Sequence, residues 1–161
     1  MTGFVRKAAR MTVAAAALMS GAAGLAQAED RDVMVVFDAS GSMWGDIGGK
    51  TKIETARDVL RDVLPGIKGS YNMGMIAYGH REKGACSDIE EIVAPAAGTR
   101  ERISDAVNRL NPKGKTPLSE SVRRAAQEMD FTRTPATVIL VSDGLENCAA
   151  DPCALAKELE Q

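Results

Sequence analysis

The feature that most constrains this chain is a set of short, near-continuous apolar runs separated by segments of helical period. Val33-Met34-Val35-Val36-Phe37, Met73-Gly74-Met75-Ile76-Ala77-Tyr78 and Val138-Ile139-Leu140-Val141 are of strand length and carry no alternating polar face. That is the pattern of strands buried on both sides, as in the middle of a parallel sheet. Between them, apolar residues recur at helical spacing: Ile53, Ala56, Leu60, Val63 and Leu64; then Ile103, Ala106, Val107 and Leu110; then Leu118, Val122, Ala125, Ala126 and Met129. Ile89-Glu90-Glu91-Ile92-Val93 breaks the alternation, being half polar and joined to the second run without a helix. It reads as an antiparallel edge strand. The expected architecture is a doubly wound, mostly parallel α/β sheet with helices on both faces and the three apolar runs at its centre.

The N-terminus obeys a different rule. Arg6, Lys7 and Arg10 precede a small-residue apolar run, Met11 to Leu25, which ends in Ala26-Gln27-Ala28. A basic start, a short apolar stretch and an A-x-A site make residues 1–28 a secretory signal peptide. The run, mostly Ala and Gly, falls short of the ~20 strongly apolar residues that span a bilayer. Residues 29–161 form the domain, expected in the periplasm or secreted. Of the chain's 20 basic residues three lie in the leader, leaving 17 against 22 acidic ones. An acidic domain with one Trp, two Tyr and three Phe lacks the basic surface and stacking platforms of a nucleic-acid binder.

Three cysteines remain, and in an oxidising compartment they read as disulfide partners. The expected pair is Cys148 with Cys153, across a four-residue turn, and Cys86 is the alternative partner for either. A zinc site is disfavoured, since one histidine, His80, supplies no second imidazole.

In a doubly wound sheet, sites form beyond the carboxyl ends of the strands. The first run ends in Asp38-Ala39-Ser40-Gly41-Ser42, and the last ends in Ser142-Asp143-Gly144. Thr116 stands just before Pro117, which is expected to open a helix facing the same rim. Two carboxylates and three hydroxyls are hard oxygen donors suited to Mg²⁺, with Mn²⁺ or Ca²⁺ as alternatives. Three neutral donors leave the ion's charge incompletely compensated, so an open position would attract an outside carboxylate.

These residues, in this order and at these strand ends, resemble the von Willebrand factor type A domain and its metal-ion-dependent adhesion site. The resemblance implies that Asp38, Ser40, Ser42, Thr116 and Asp143 hold the ion, some through water. It also implies that a protein partner donates an Asp or Glu carboxylate, and that the module binds without catalysing a reaction. Two alternatives stand beside it. Asp38 could serve a Mg²⁺-dependent phosphotransferase or phosphatase as nucleophile, although Ser40 occupies the place of the usual second acid. The Asp and Ser residues could instead merely cap turns in a structural domain without metal. The P-loop is excluded, because Trp44 and Arg109 stand where the first glycine is required.

His80, Trp44, Asp46 and Glu146 read as solvated loop residues, and Arg57, Asp58, Arg61 and Asp62 as solvated helix surface. Asp38, at a strand end, is expected to be removable without cost to the core. Domains of the resembled family continue with at least one further strand, so 29–161 reads as truncated at its C-terminal end. The strand Thr137 to Ser142 would then have an open, association-prone edge.

Overall fold

In the computed structural model, which describes residues 31–160, the first apolar run becomes β1 (Arg31–Asp38). The expected signal peptide, residues 1–28, lies outside the described residues. After a 3₁₀ turn at Gly41–Trp44 come β2 (Asp46–Ile47) and β3 (Lys50–Thr51), then α1 (Lys52–Val63), β4 (Tyr71–Tyr78) and β5 (Ile89–Ala96). α2 (Arg100–Arg109), α3 (Leu118–Glu128), β6 (Ala136–Val141) and α4 (Pro152–Leu159) complete the order.

Four strands form one sheet in the order β5-β4-β1-β6, with β1 parallel to both neighbours and β5 antiparallel to β4. Successive side chains of a strand face opposite sides, and β1 uses both. Val33, Val35 and Phe37 pack with Ile53 and Leu60 of α1 and with Ile103 and Val107 of α2. Met34 and Val36 pack on the other face with Ala125 and Met129, against α3. Each fully buried side chain of this kind contributes roughly 1.5–3 kcal/mol, so β1 anchors two cores at once. Its register sets the functional rim: Asp38 lies beside Tyr78 of β4, and the last pair with β6 is Phe37 with Val141. Asp38 and Ser142 therefore leave the sheet at the same level.

The antiparallel edge strand and the doubly wound sheet match expectation. Of the two expectations for β6, a central place and an open edge, the strand order agrees with the second: among the described residues β6 pairs only with β1, and Leu140 is exposed. A continuous apolar run marks strands covered on both faces but says nothing about the number of neighbours in the sheet. The β2–β3 hairpin is unanticipated. Its turn, Gly48-Gly49, has φ of +63° and +88° at the two central positions, the requirement of a two-residue primed turn. Pro117 stands just before the first helical residue, Leu118, and not within the first turn.

Arg57 is not solvated surface. Its Nε and Nη2 donate to the carbonyls of Val107 and Leu110 at 3.2 and 2.6 Å, closing the C-terminal end of α2, where a cation is favoured. The cysteine pairing is also corrected. Cys86 bonds Cys148, with Cα atoms 5.7 Å apart, and Cys153 is free and exposed. The reason is α4: Asp151 accepts from the backbone N–H groups of Cys153 and Ala154, which commits Cys153 to the first helical turn. The bridge joins the loop after β4 to the loop after β6 across 62 residues, a closure worth about 4 kcal/mol in the chain-entropy account.

The loops at the carboxyl ends of the strands are knitted through their backbones. Gly41 N–H donates to Gly114 O, Lys113 N–H to Ala39 O and Gly79 O, and Gly114 N–H to Gly79 O, all within 3.2 Å. Gly79 has φ +70°, and a Cβ there would lie 2.6 Å from Lys115 O. Nearby, the buried Asp88 accepts from Arg81 Nε and from the N–H groups of Arg81 and Glu82 at 2.8–2.9 Å. Burial opposes its ionisation, yet the Glu82 amide and the Arg81 guanidinium and amide outweigh it and hold the carboxyl below the usual range.

The locked rim makes two substitutions informative. Gly79→Ala should cost about 3 kcal/mol or more in urea unfolding, combining a positive φ with a backbone clash. A loss under about 1 kcal/mol would mean that the loops are not locked. Asp88→Asn should be less stable than wild type at pH 7 by about 2 kcal/mol. Because the folded-state pKa of Asp88 is depressed, its contribution is present above the unfolded value near about 3.9 and is lost as pH falls through the folded one. The two stability curves should converge below about pH 4, and a constant gap would remove Asp88 as the cause.

Candidate functional site

The site is assembled from three segments: the loop after β1, the stretch before α3 and the loop after β6. Asp38 ends β1, and its turn is closed by its own side chain: Oδ1 accepts from Ser40 N–H at 2.7 Å. This Asx-type bond fixes the direction of Ser40 and Ser42, which come next at alternate positions. Their hydroxyls lie 3.0 Å apart, and Ser42 Oγ donates to Asp143 Oδ1 at 3.0 Å. Thr116, buried before α3, is held by Asn147, whose Oδ1 accepts from Thr116 N–H at 2.8 Å and whose N–H donates to Thr116 O at 3.3 Å.

Gly144 shows that these groups converge. A Cβ placed on it would lie 3.6 Å from Ser42 Oγ, 3.9 Å from Thr116 Oγ1 and 4.0 Å from Asp38 Oδ2. All five residues singled out in the sequence are thus brought to one point. Among the described residues no three His, Cys, Asp or Glu side chains cluster to hold a metal. A cation here would depend on two carboxylates completed by hydroxyls, an all-oxygen donor set that fits a hard divalent ion and not a soft one.

Asp38 is the unusual member. It is completely buried, and among the described residues no Lys, Arg or His pairs with it. Buried charges are ordinarily paired or bound to metal. Its Oδ2 accepts from Ser142 Oγ at 2.7 Å, and Tyr78 OH lies 3.3 Å from the same Ser142 oxygen. Burial, reinforced by the negative charge of Asp38, pushes the Tyr78 phenol well above its ordinary pKa and keeps it a neutral donor. The expectation that Asp38 is removable at no cost is therefore corrected: its loss would strand Ser40 N–H and Ser142 Oγ. Asp143 differs, since its Oδ2 is ion-paired with Lys52 Nζ.

Several residues around the site escape a reading of the sequence. Lys52, Ser142, Tyr78 and Asn147 belong to it by contact, and only the position of Ser142 beside Asp143 signals its role. Glu146 is a structural acceptor and not a solvated side chain: Oε2 takes Ser119 N–H at 2.8 Å at the start of α3, and Oε1 takes Cys148 N–H at 2.7 Å. Asp46 braces the hairpin by accepting from Gly49 N–H at 3.1 Å. Trp44 is half exposed, with its indole N–H donated to Pro112 O at 2.9 Å. His80 is largely buried against Glu90, 2.8 Å away.

Comparison with known proteins agrees with this fold. The sequence model of the von Willebrand factor type A domain matches residues 33–146. The chain is 27% identical over 139 residues to the uncharacterized protein YwmD of Bacillus subtilis, covering 81% of this chain and 62% of that protein. It therefore spans about three-fifths of that relative's length. Among solved structures, a von Willebrand factor type A protein from Catenulispora acidiphila superimposes with a TM-score of 0.59 at 20% identity, over 80% of this chain and 29% of that one. The vWF domain of the type V pili tip protein Mfa5 from Porphyromonas gingivalis gives 0.54 at 19% identity, over 73% and 38%. The two structural likenesses speak for the fold, and the sequence match, extending over well over half of the chain, makes it a member of the von Willebrand factor type A domain family.

Proposed function

We propose that this domain is an exported binding module in which a divalent cation, Mg²⁺ first, with Mn²⁺ or Ca²⁺ as alternatives, links the site to a carboxylate of a protein partner. The observation that carries the reading is Asp38: a fully buried carboxylate without a cationic partner among the described residues, beside hydroxyls of Ser42 and Thr116 and a second carboxylate. Asp38, Ser40, Ser42, Thr116 and Asp143 would hold the ion. When bound, the ion would supply an electropositive point able to take one more oxygen ligand.

The protein's own residues prepare for that. Ser40 N–H and Ser142 Oγ orient the Asp38 carboxylate, Asn147 fixes Thr116, and the Cys86–Cys148 bridge tethers the loop that carries Asp143. Exposed apolar side chains stand on the same loops, Trp44 two residues after Ser42 and Leu145 two after Asp143, the latter 89% exposed. They suit contact with a protein surface. The pilus-tip description of Mfa5 and the disulfide favour an exported setting, and no helix among the described residues is long and apolar enough to cross a membrane. The phosphotransfer alternative gains nothing from the geometry, because both Asp38 oxygens accept hydrogen bonds that fix the group in place.

Calorimetry should detect one Mg²⁺ or Mn²⁺ per chain, with a matching rise in thermal stability, since a ligand of the folded state stabilises it by mass action. Thr116→Ala, which removes a donor and at most a weak bond from Asn147 at 3.4 Å, should weaken binding at least tenfold while costing under about 1 kcal/mol of stability. Absence of divalent-ion binding both in wild type and in a variant without the Lys52 charge would return the site to a turn-capping role. With envelope extract, a protein retained in Mg²⁺ and released by EDTA supports the partner half. Retention indifferent to EDTA and to Thr116→Ala contradicts it.

A further inference from the structure

Lys52 occupies a position that the site explains and its own helix does not. It is the first residue of α1, where the helix dipole disfavours a cation. The helix start needs nothing from it, being closed by Thr51 and Glu54 in a reciprocal capping box. Its side chain instead runs back to the rim and pairs with Asp143 Oδ2, while the other oxygen of that carboxylate accepts from Ser42.

The local backbone is arranged for this reach. The β2–β3 hairpin returns the chain so that Lys52 N–H donates to Gly45 O at 2.8 Å. A Cβ on Gly45 would lie 3.1 Å from Lys52 Cε and 3.5 Å from Nζ, so the stem crosses the bare face of that glycine. The pair is sheltered, with Lys52 29% and Asp143 11% exposed, and so is less screened than a surface pair. Lys50, two residues earlier, pairs with Asp58 on the outer surface and not with the site.

We propose that Lys52 is a built-in counter-cation of this site: its ammonium neutralises Asp143 while no divalent ion is bound, and a divalent ion must displace it to load. The inference rests on the divalent-ion reading given above and adds that loading is an exchange of one cation for another. Displacement of a monovalent, tethered charge by a divalent one is driven by Coulomb attraction to two carboxylates, Asp38 and Asp143. The tether lowers the affinity the five oxygen donors would otherwise have. It also holds Asp143 in place against the charge of Asp38 when the site is metal-free.

Two measurements test this. Titrated with Mg²⁺ in calorimetry, Lys52→Met should bind about tenfold more tightly than wild type, because a nearby positive charge is gone. Lys52→Arg, which keeps the charge, should stay within about threefold. In the wild-type protein, which avoids any folding defect of a variant, amine acetylation at fixed pH is monitored by peptide mass spectrometry. Mg²⁺ should raise the labelling rate of Lys52 severalfold and leave that of Lys50 unchanged. Equal or weaker affinity in Lys52→Met, or a Lys52 labelling rate indifferent to Mg²⁺ in a chain that binds it, overturns the exchange. Absence of Mg²⁺ binding in both wild type and Lys52→Met is a different failure, that of the metal reading itself. Binding by Lys52→Met alone supports the exchange in its strongest form.

Discussion

Backbone hydrogen bonds between loops at the carboxyl ends of β1 and β4 and the segment before α3 hold the whole rim in register. Parallel strands end level with one another but do not fix the loops beyond them. Here Gly79 accepts from Lys113 and Gly114, Gly114 accepts from Gly41, and Ala39 accepts from Lys113. The contact is close enough that residues 79 and 114 have no room for a side chain, since a Cβ on Gly114 would meet Glu82 O at 2.5 Å. Such a backbone lattice does not draw its stability from apolar packing of the polar side chains it carries. It can therefore carry Asp38, Ser40, Ser42 and Thr116, four polar groups that contribute little apolar packing of their own.

The electrostatics of the rim are asymmetric. Asp143 has a cation, Lys52, and a hydroxyl donor, Ser42. Asp38 has an amide and a hydroxyl and is deeper. Ser142 and Tyr78 extend the line of hydroxyls behind Asp38 into the α3 side of the sheet, where Tyr78 is packed with Ile76 and Met129. Polar groups sunk into a core are tolerated when each finds a partner, and the chain from Tyr78 to Ser142 to Asp38 meets that condition. A rigid arrangement of this sort suits binding by a preformed site, in which little ordering remains to be done when a ligand arrives.

Much of this is legible in the sequence, and the remainder is hidden for identifiable reasons. The three apolar runs announce the strands because a doubly covered strand has no polar face. Asp38, Ser40, Ser42 and Asp143 are readable because residues at strand ends lie at known places in a parallel sheet, and Thr116 because it directly precedes Pro117 at a helix start. Hydropathy alone does not give the edge position of β6, because it reports burial of faces and not of edges; the open edge is expected only from the resemblance. Arg57 looks like a solvated cation and Lys52 carries no signal at all, since a long side chain can travel several ångströms from its backbone and one sequence does not say where. The disulfide turns on a helix cap: spacing allows Cys148 to meet Cys153 until Asp151 places Cys153 in α4.

The proposed all-oxygen cation site centred on Asp38 is open to a direct observation. Anomalous diffraction from crystals of the protein grown with Mn²⁺ would locate the ion without any assumption about its ligands. One strong peak is expected among Asp38, Ser40, Ser42, Thr116 and Asp143, beside Gly144, with the rim backbone little changed and Lys52 moved away from Asp143. Crystals soaked to saturation that show no peak there, or a peak only at surface carboxylates such as Asp58 or Glu120, would contradict such a site.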